Sequence, residues 1–265
     1  MLAIYAGTST VSGRFWLLDA PDNLDIQSRR NPDGAGIGWF DDDGTPRLDR
    51  APLAALDDPA FARDARQVRS RAMVAHVRHS SGTPRQLENT MPFERAGRLF
   101  AHNGALGDLP AVKRLAGRWG DDLAGDTDSE RYLALVTRRA TETGDLATGL
   151  ARAAGELAAA VPVLSLNCVI ATVDELVAMR YPDTDTLWLL RRPAGPGLRG
   201  TGTDGPIRVA GDQASDAHVV LASEPLDDDP GWRPLAPGEL VHVDAELHLT
   251  SMQPLTSPPA QPLTL

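Results

Sequence analysis

The chain is poor in the residues that cross-link a fold, in one of the two strong bases and in long apolar runs. It has a single cysteine, Cys168, so no intramolecular disulfide can form. Lys113 is its single lysine and arginine supplies the other positive charge, which matches codon bias in a GC-rich genome better than any functional demand. No apolar stretch approaches the roughly 20 residues that span a bilayer. Met1–Gly7 has no basic n-region and meets polar residues too soon for a signal peptide. Lys and Arg total 26 against 36 Asp and Glu, a formal net charge of −10. Such a surface repels phosphate backbones. These absences predict a soluble cytoplasmic protein with neither a membrane nor a nucleic-acid partner.

What is present is an ordinary globular composition: 265 residues, 42% hydrophobic and 23% charged. That length can bury one large core or two modest ones. Leu2–Ala6 reads as a short buried strand closed by Gly7. The segment Asn31–Phe40 reads as a turn leading into a strand, followed by the Asp41–Gly44 turn. Met73–Arg78 and Arg98–Ala101 read as further strands. Helical character begins after Pro110 and is clearest over Thr127–Thr141, where Thr127 or Asp128 can cap and Tyr132, Leu133, Leu135 and Val136 form the apolar face. An alanine-rich helix follows over Leu146–Val161. Leu164–Val173, Leu176–Tyr181 and Thr186–Leu190 then read as a meander, and Pro193–Gly205 as a Gly/Pro-rich loop. His218–Ser223, Leu240–Val243 and Glu246–Leu249 close the fold as strands. Residues 253–265, rich in Pro, Ser and Thr, predict a flexible tail behind a single domain over 1–252. Strands, then helices, then strands suit antiparallel sheets covered by helices, and argue against regular βαβ alternation.

Five segments in order carry a family resemblance. Asn31-Pro32-Asp33-Gly34-Ala35-Gly36-Ile37-Gly38-Trp39 is similar to the Asp-Gly-Trp-Gly-Ile-Gly turn of the class II glutamine amidotransferases. Ala75-His76-Val77-Arg78-His79-Ser80-Ser81-Gly82 resembles their Ala-His-x-Arg segment. Glu88-Asn89-Thr90-Met91-Pro92-Phe93 with Phe100-Ala101-His102-Asn103-Gly104 resembles their Asn-x-x-Pro-Phe and His-Asn-Gly pair. Gly125-Asp126-Thr127-Asp128-Ser129-Glu130 resembles their Thr-Asp-Ser-Glu helix start. The fifth, Ala222–Trp232, looks like the branch of small single-domain members that includes the γ-glutamyl amidohydrolase of ergothioneine biosynthesis. The resemblance implies a four-layer αββα fold of the N-terminal-nucleophile (Ntn) hydrolases, with two mainly antiparallel sheets. It also implies a glutamine-like or γ-glutamyl small molecule as ligand, no metal and no organic cofactor. With no synthase domain in the chain, it implies simple hydrolysis, or ammonia supply to a separate synthase or pathway partner.

The residues also have chemistry of their own. Arg78, at a strand end, offers a planar fork suited to a carboxylate, or to a structural ion pair. A side-chain amide at Asn103 and a backbone N–H at Gly104 can converge on a developing oxyanion, although His-Asn-Gly alone is an ordinary turn. Asp128 is at least a helix N-cap. The resemblance gives Arg78 the substrate's α-carboxylate, Asp128 its α-amino group, and Asn103 and Gly104 the oxyanion hole. It places His79 and Ser80 beside the ligand, and Asp33, Gly34, Ala35 and His102 in shaping the pocket. His76 and His79 fall three apart on a strand, hence on opposite faces, and do not read as a metal pair. Cys168, inside an apolar strand, reads as a buried core thiol.

One element of the family pattern is missing. Its nucleophile is an N-terminal cysteine whose free α-amine, with a pKa of about 8, serves as base. Aligning Tyr5-Ala6-Gly7 on the family's first strand puts that cysteine immediately before Met1. Three explanations stand. Met1 is internal and the protein begins Met-Cys just upstream; or the fold is a pseudoenzyme reused for binding or different chemistry; or the chain processes itself at Gly7-Thr8. Ala35, where the family usually has Trp, predicts extra space in or beside the pocket and favours the second. Thr8, Ser9, Thr10 and Ser80 are available hydroxyls near the expected cleft for some other hydrolase chemistry.

Overall fold

The computed structural model describes residues 1–80, 82–195, 199–202, 205–208 and 216–264. Two antiparallel sheets stack face to face. The seven-stranded sheet runs in the order Arg233–Pro234, Trp188–Arg192, His218–Ala222, Leu2–Tyr5, Ala72–Val77, Ala35–Phe40, Pro46–Ala51. The six-stranded sheet runs Leu249–Met252, Leu240–Val243, Leu176–Met179, Asn167–Ala171, Arg98–Asn103, Phe93–Arg95.

The central strand shows why the molecule has four layers. Successive side chains on a strand point to opposite faces. Met1, Ala3 and Tyr5 enter the core between the sheets, whereas Leu2 and Ile4 enter a second core with Phe15, Trp16 and Phe61. Both faces are therefore apolar and both must be covered. Short helical segments around Phe15–Asp19, Leu24–Gln27 and Pro59–Gln67 cover the outer face of the seven-stranded sheet. Leu109–Ala116, Asp128–Thr143 and Leu146–Ala160 pack in the same core as the six-stranded sheet.

The helix starts follow from the sequence. Asp108 caps Leu109–Ala116, and Asp145 caps Leu146–Ala160 by accepting from the Thr148 amide at 2.6 Å. Thr127 caps Asp128–Thr143, accepting from the Glu130 amide at 3.2 Å. The Glu130 carboxylate reaches back to the amides of Ala124 and Gly125, both at 2.8 Å, and so fixes the loop that leads into the helix.

Four expectations need correction. The meander breaks after Leu176–Met179, because Trp188–Arg192 pairs with His218–Ala222 in the other sheet. Alternating apolar residues specify a strand but not which sheet it joins. The last strand is Leu249–Met252, since Asp244 Oδ1 accepts from the amides of Glu246 and His248 and holds those residues in a turn. In the expected loop Pro193–Gly205, residues 196–198 and 203–204 lie outside the described residues, while Arg199–Gly202 pairs with Gly205–Arg208 as a hairpin. Residues 253–264 are tied down. The amides of Ala260 and Leu263 donate to the carbonyls of Ala158 and Val163, the Val163 amide donates to Gln261, and the Tyr181 hydroxyl donates to Ser257. Proline-rich composition predicted a flexible tail, whereas the structure docks this segment through backbone hydrogen bonds.

Candidate active site

The cleft forms where two strands from different sheets end together. Ala72–Val77 runs into Arg78, and Arg98–Asn103 runs into Gly104. The helix starting at Asp128 points its N-terminus at the same place. Two adjoining chambers result. The smaller, of about 100 Å³, is lined by Arg78, Ser80, Thr83, Asn103, Gly104 and Asp128 among others. The larger, of about 250 Å³, is lined by Met1, Gln27, Asp185, Thr186, Ser223 and Glu224. Asn31, His76, Val77 and Asn103 belong to both.

Arg78 is 4% exposed, and burial lowers its pKa while the neighbouring Asp33 opposes the shift. A guanidinium stays charged under any such shift. Its Nη2 donates to Thr83 Oγ1 at 2.6 Å, the Thr83 carbonyl at 3.2 Å and Ser80 Oγ at 3.1 Å, and Nη1 donates to the Asp33 carbonyl at 3.4 Å. All of these acceptors are neutral. Among the described residues no carboxylate pairs with Arg78, so the structural ion-pair reading has no partner. The Asp33 carboxylate is otherwise engaged, accepting from the Ser80 amide at 2.7 Å and pairing with Arg85.

Gly104 is held against the next segment of chain. A Cβ there would lie 2.1 Å from the Ser165 carbonyl oxygen and 2.8 Å from His102 Nε2. His102 secures that approach from inside the core: its Nε2 donates to the same carbonyl at 2.9 Å, and its Nδ1 lies 3.0 Å from Ser129 Oγ. Asn103 Nδ2 is 3.5 Å from Ser223 Oγ. The Asp128 carboxylate accepts from the amides of Leu106 and Ser129, both at 2.8 Å, and stays half-buried. It thus ties the helix start, whose dipole favours negative charge, to the loop beyond Gly104.

Met1 sits at the head of the central strand. Its carbonyl accepts from the Ser223 amide at 3.1 Å. Burial pushes the α-amine there down to about 6, with Glu224 opposing. His76 faces it across the cleft side of the sheet, 6% exposed, and burial holds its imidazole well below the ordinary histidine range.

The whole stretch 24–262 matches the family model described as "Glutamine amidotransferases class-II". The chain belongs to the class II glutamine amidotransferases. The γ-glutamyl-hercynylcysteine sulfoxide hydrolase of Mycolicibacterium smegmatis is 34% identical over 250 residues, 89% of this chain and 92% of that protein. The corresponding hydrolase of Mycobacterium tuberculosis is 32% identical over 86% of this chain and 85% of its own. Among solved structures, a class II glutamine amidotransferase domain protein from Silicibacter pomeroyi superposes with a TM-score of 0.65. It is 23% identical, and the match covers 95% of this chain and 98% of that one. The glutamine phosphoribosylpyrophosphate amidotransferase of Bacillus subtilis gives a TM-score of 0.66 at 19% identity, over 97% of this chain and 49% of that one. The fold is that of the Ntn-hydrolase amidotransferases, as the motif order implied.

In this amidotransferase chain the cleft brings together Arg78, His79, Ser80, His102, Asn103, Gly104 and Asp128. Asp33 and Gly34 stand behind Arg78: the Gly34 carbonyl accepts from the Arg78 amide at 2.7 Å. Ala35 is not among the residues that line the two chambers, although its cross-strand partner Val77 lines both. It packs with Ile37 and Val77 in the outer core. Thr8, Ser9 and Thr10 lie at the wrong end of the first strand, past Gly7, which abuts the Ala245–Leu247 turn. A threonine exposed there has no part in this cleft, which removes self-processing at Gly7-Thr8. Cys168 is fully buried, with burial pushing its thiol up to about 12. Sequence reasoning missed His76, Asn31, Ser223 and Glu224 as lining residues, although each lies inside a quoted motif. It had no signal at all for Thr83, Gln27, Asp185 or Thr186.

Proposed function

We propose that this protein hydrolyses the side-chain amide of a γ-glutamyl compound, through a cysteine that directly precedes Met1 in the native protein. The register supports that position. Leu2 pairs with Ala75 on one side and Ala222 on the other. One residue before Met1 therefore falls between Val77 and Glu224, both of which line the larger chamber. An amine buried at this strand head is driven toward its neutral form, as for Met1, which suits a base working near neutral pH.

In this reading the thiolate attacks the δ-carbonyl carbon. Asn103 Nδ2 and the Gly104 N–H receive the oxyanion. The amine leaves with a proton, and water then cleaves the thioester to give glutamate. Arg78 with Thr83 holds the α-carboxylate, Asp128 holds the α-ammonium, and His79 and Ser80 flank them. The thiolate, amine and amide donors supply the whole reaction, so no metal or organic cofactor is required. A cytoplasmic setting and a separate synthase or pathway partner belong to the same proposal. No helix among the described residues is long and apolar enough to cross a membrane, and the relatives are named as hydrolases of a γ-glutamyl compound. The observation that carries the reading is the convergence of an unpaired, buried Arg78 with Asn103, Gly104 and Asp128 around one strand end.

Two measurements test it. Mass spectrometry of the N-terminal peptide from the native host should show Cys-Met-Leu-Ala-Ile. Purified protein carrying that cysteine should release glutamate from L-glutamine or γ-glutamyl amides, and protein beginning at Met1 should not. A native chain that starts at Met1 or Leu2 sinks the proposal and leaves a ligand-binding pseudoenzyme. So does a Cys-bearing form without turnover.

A further inference from the structure

Asn89, from the Asn-x-x-Pro-Phe motif, stands between the two grips on the amino-acid end of the substrate. It closes the short helical turn Leu87–Asn89, is fully buried and borders the smaller chamber. Its Oδ1 accepts from the Asp126 amide at 2.8 Å, and its Nδ2 donates to the Pro84 carbonyl at 3.2 Å. A backbone N–H can only donate and a carbonyl can only accept, so one side-chain amide answers both. A carboxylate of the same shape would satisfy the first alone.

The two anchored residues adjoin the grips. Pro84 follows Thr83, whose hydroxyl and carbonyl accept from Arg78 Nη2 at 2.6 and 3.2 Å. Asp126 precedes Thr127, the cap of the helix that begins at Asp128. The Asn89 side chain thus spans from the Arg78 side of the chamber to the Asp128 side with two hydrogen bonds, both to backbone. An outer link from Gln86 Nε2 to the Asp126 carboxylate is longer, at 3.4 Å, and exposed.

Packing leaves this span little slack. A Cβ on Gly125 would lie 2.5 Å from Asn89 Oδ1 and 2.5 Å from the Glu88 carbonyl oxygen. On the other side Thr90 presses on Gly34, where a Cβ would lie 2.9 Å from Thr90 Oγ1, and the Gly34 carbonyl accepts from the Arg78 amide at 2.7 Å. The turn that carries Asn89 is therefore wedged between the two loops.

We propose that Asn89 is a positioning residue that fixes the separation of the two grips, and so makes the site selective for ligands carrying both an α-carboxylate and an α-ammonium. This rests on the roles of Arg78 and Asp128 in the reading above. Cutting Asn89 back removes the charge of neither grip and releases only their spacing. A ligand with both groups depends on that spacing, whereas a ligand with one can follow its own grip.

Three amides test the inference on the Cys-bearing protein: L-glutamine, 4-carbamoylbutanoate, which lacks the α-ammonium, and 4-aminobutanamide, which lacks the α-carboxylate. The parent should favour L-glutamine over each by about 10- to 100-fold, the worth of one charge-assisted contact. Asn89→Ala should cut kcat/KM for L-glutamine by about 30-fold, chiefly through KM, and for either truncated amide by about threefold or less. Both preferences then shrink by about tenfold. Gly125→Ala forces a methyl against Asn89 without removing its amide and should shrink the same preferences, should the first variant not fold. Calorimetry of L-glutamate, glutarate and 4-aminobutanoate, with protein beginning at Met1, reads the same selectivity without turnover. A merely structural residue would lower Tm and scale all three ligands alike. Proportional losses, or ratios unchanged in the variants, overturn the positioning role and leave the hydrolase reading intact. Binding ratios that respond as expected, in a protein without turnover even with its cysteine, sink the hydrolysis and keep the positioning role. Neither turnover nor binding overturns both.

Discussion

Replacing Gly104 by alanine should damage stability and chemistry together, by amounts that the geometry fixes in order of magnitude. The new methyl would stand 2.1 Å from the Ser165 carbonyl oxygen, 2.6 Å from its carbon and 2.8 Å from His102 Nε2. Carbon contacts normally sit beyond about 3.3 Å, so the overlap is roughly 1 Å. Backbone and a buried ring cannot swing aside as a flexible side chain would. Overpacking of this kind costs about 1–3 kcal/mol. Retreat of Ser165 would also break the His102–Ser165 hydrogen bond of 2.9 Å, adding about 1 kcal/mol. The sum is about 2–4 kcal/mol, or a Tm lowered by roughly 5–15 °C in a domain of this size. Displacing the Gly104 amide by a similar distance removes one oxyanion donor, worth about 10²–10³ in kcat with little change in KM. Gly155 supplies the control. It lies inside the helix Leu146–Ala160 with nothing nearer to an added Cβ than Leu255 at 3.7 Å, so Gly155→Ala should stabilise by about 0.5–1 kcal/mol. Urea denaturation gives the two free energies, and glutamate release by the Cys-bearing protein gives kcat and KM. A Gly104→Ala protein within about 0.5 kcal/mol of the parent, with kcat within about threefold, would refute both the packing and the oxyanion assignments.

Two further outcomes follow from the buried groups. Burial lowers the pKa of both His76 and His218, so near neutral pH each is uncharged in the folded and the unfolded chain. As pH falls through about 6.5 the unfolded chain takes up protons that the folded chain refuses, and stability must drop over that window. The Tm should therefore fall between roughly pH 7 and 5.5, and His76→Gln should flatten the slope; an unchanged slope in the variant rules out the buried neutral imidazole. Cys168→Ala should leave kcat unaltered and cost about 1 kcal/mol, and the native thiol should react with thiol reagents only on unfolding. Rapid labelling of Cys168 in folded protein beginning at Met1, or loss of turnover on its replacement in the Cys-bearing protein, would show that this thiol has a place in the chemistry.

Much of the smaller chamber was legible because its residues sit at ends of elements. Arg78 and Asn103-Gly104 follow apolar strands, and Asp128 follows the cap Thr127, so each could be recognised from a short motif. The second chamber was not. Gln27 comes from a short helix, Asp185 and Thr186 from a crossover between sheets, and Glu224 from the end of a strand. These three segments lie far apart in sequence, and only the one with Ser223 and Glu224 falls inside a recognised motif. Ala35, also inside a recognised motif, packs in the outer core and is not among the lining residues of either chamber.

By itself the sequence determined local conformation and facing. Caps at Asp108, Thr127 and Asp145 set helix starts, and the alternation of Met1, Ala3 and Tyr5 against Leu2 and Ile4 required cover on both sides of the central strand. Those signals are short-ranged, since they arise from backbone hydrogen bonds and from the two-residue period of a strand. Only the tertiary structure decided which sheet Trp188–Arg192 joins, that residues 253–264 dock on the body, and that Asp185 and Glu224 share a wall with His76. Those outcomes depend on burying surface between segments far apart in the chain. Such burial is non-directional, and it is settled by the packing of the whole molecule rather than by any local stretch.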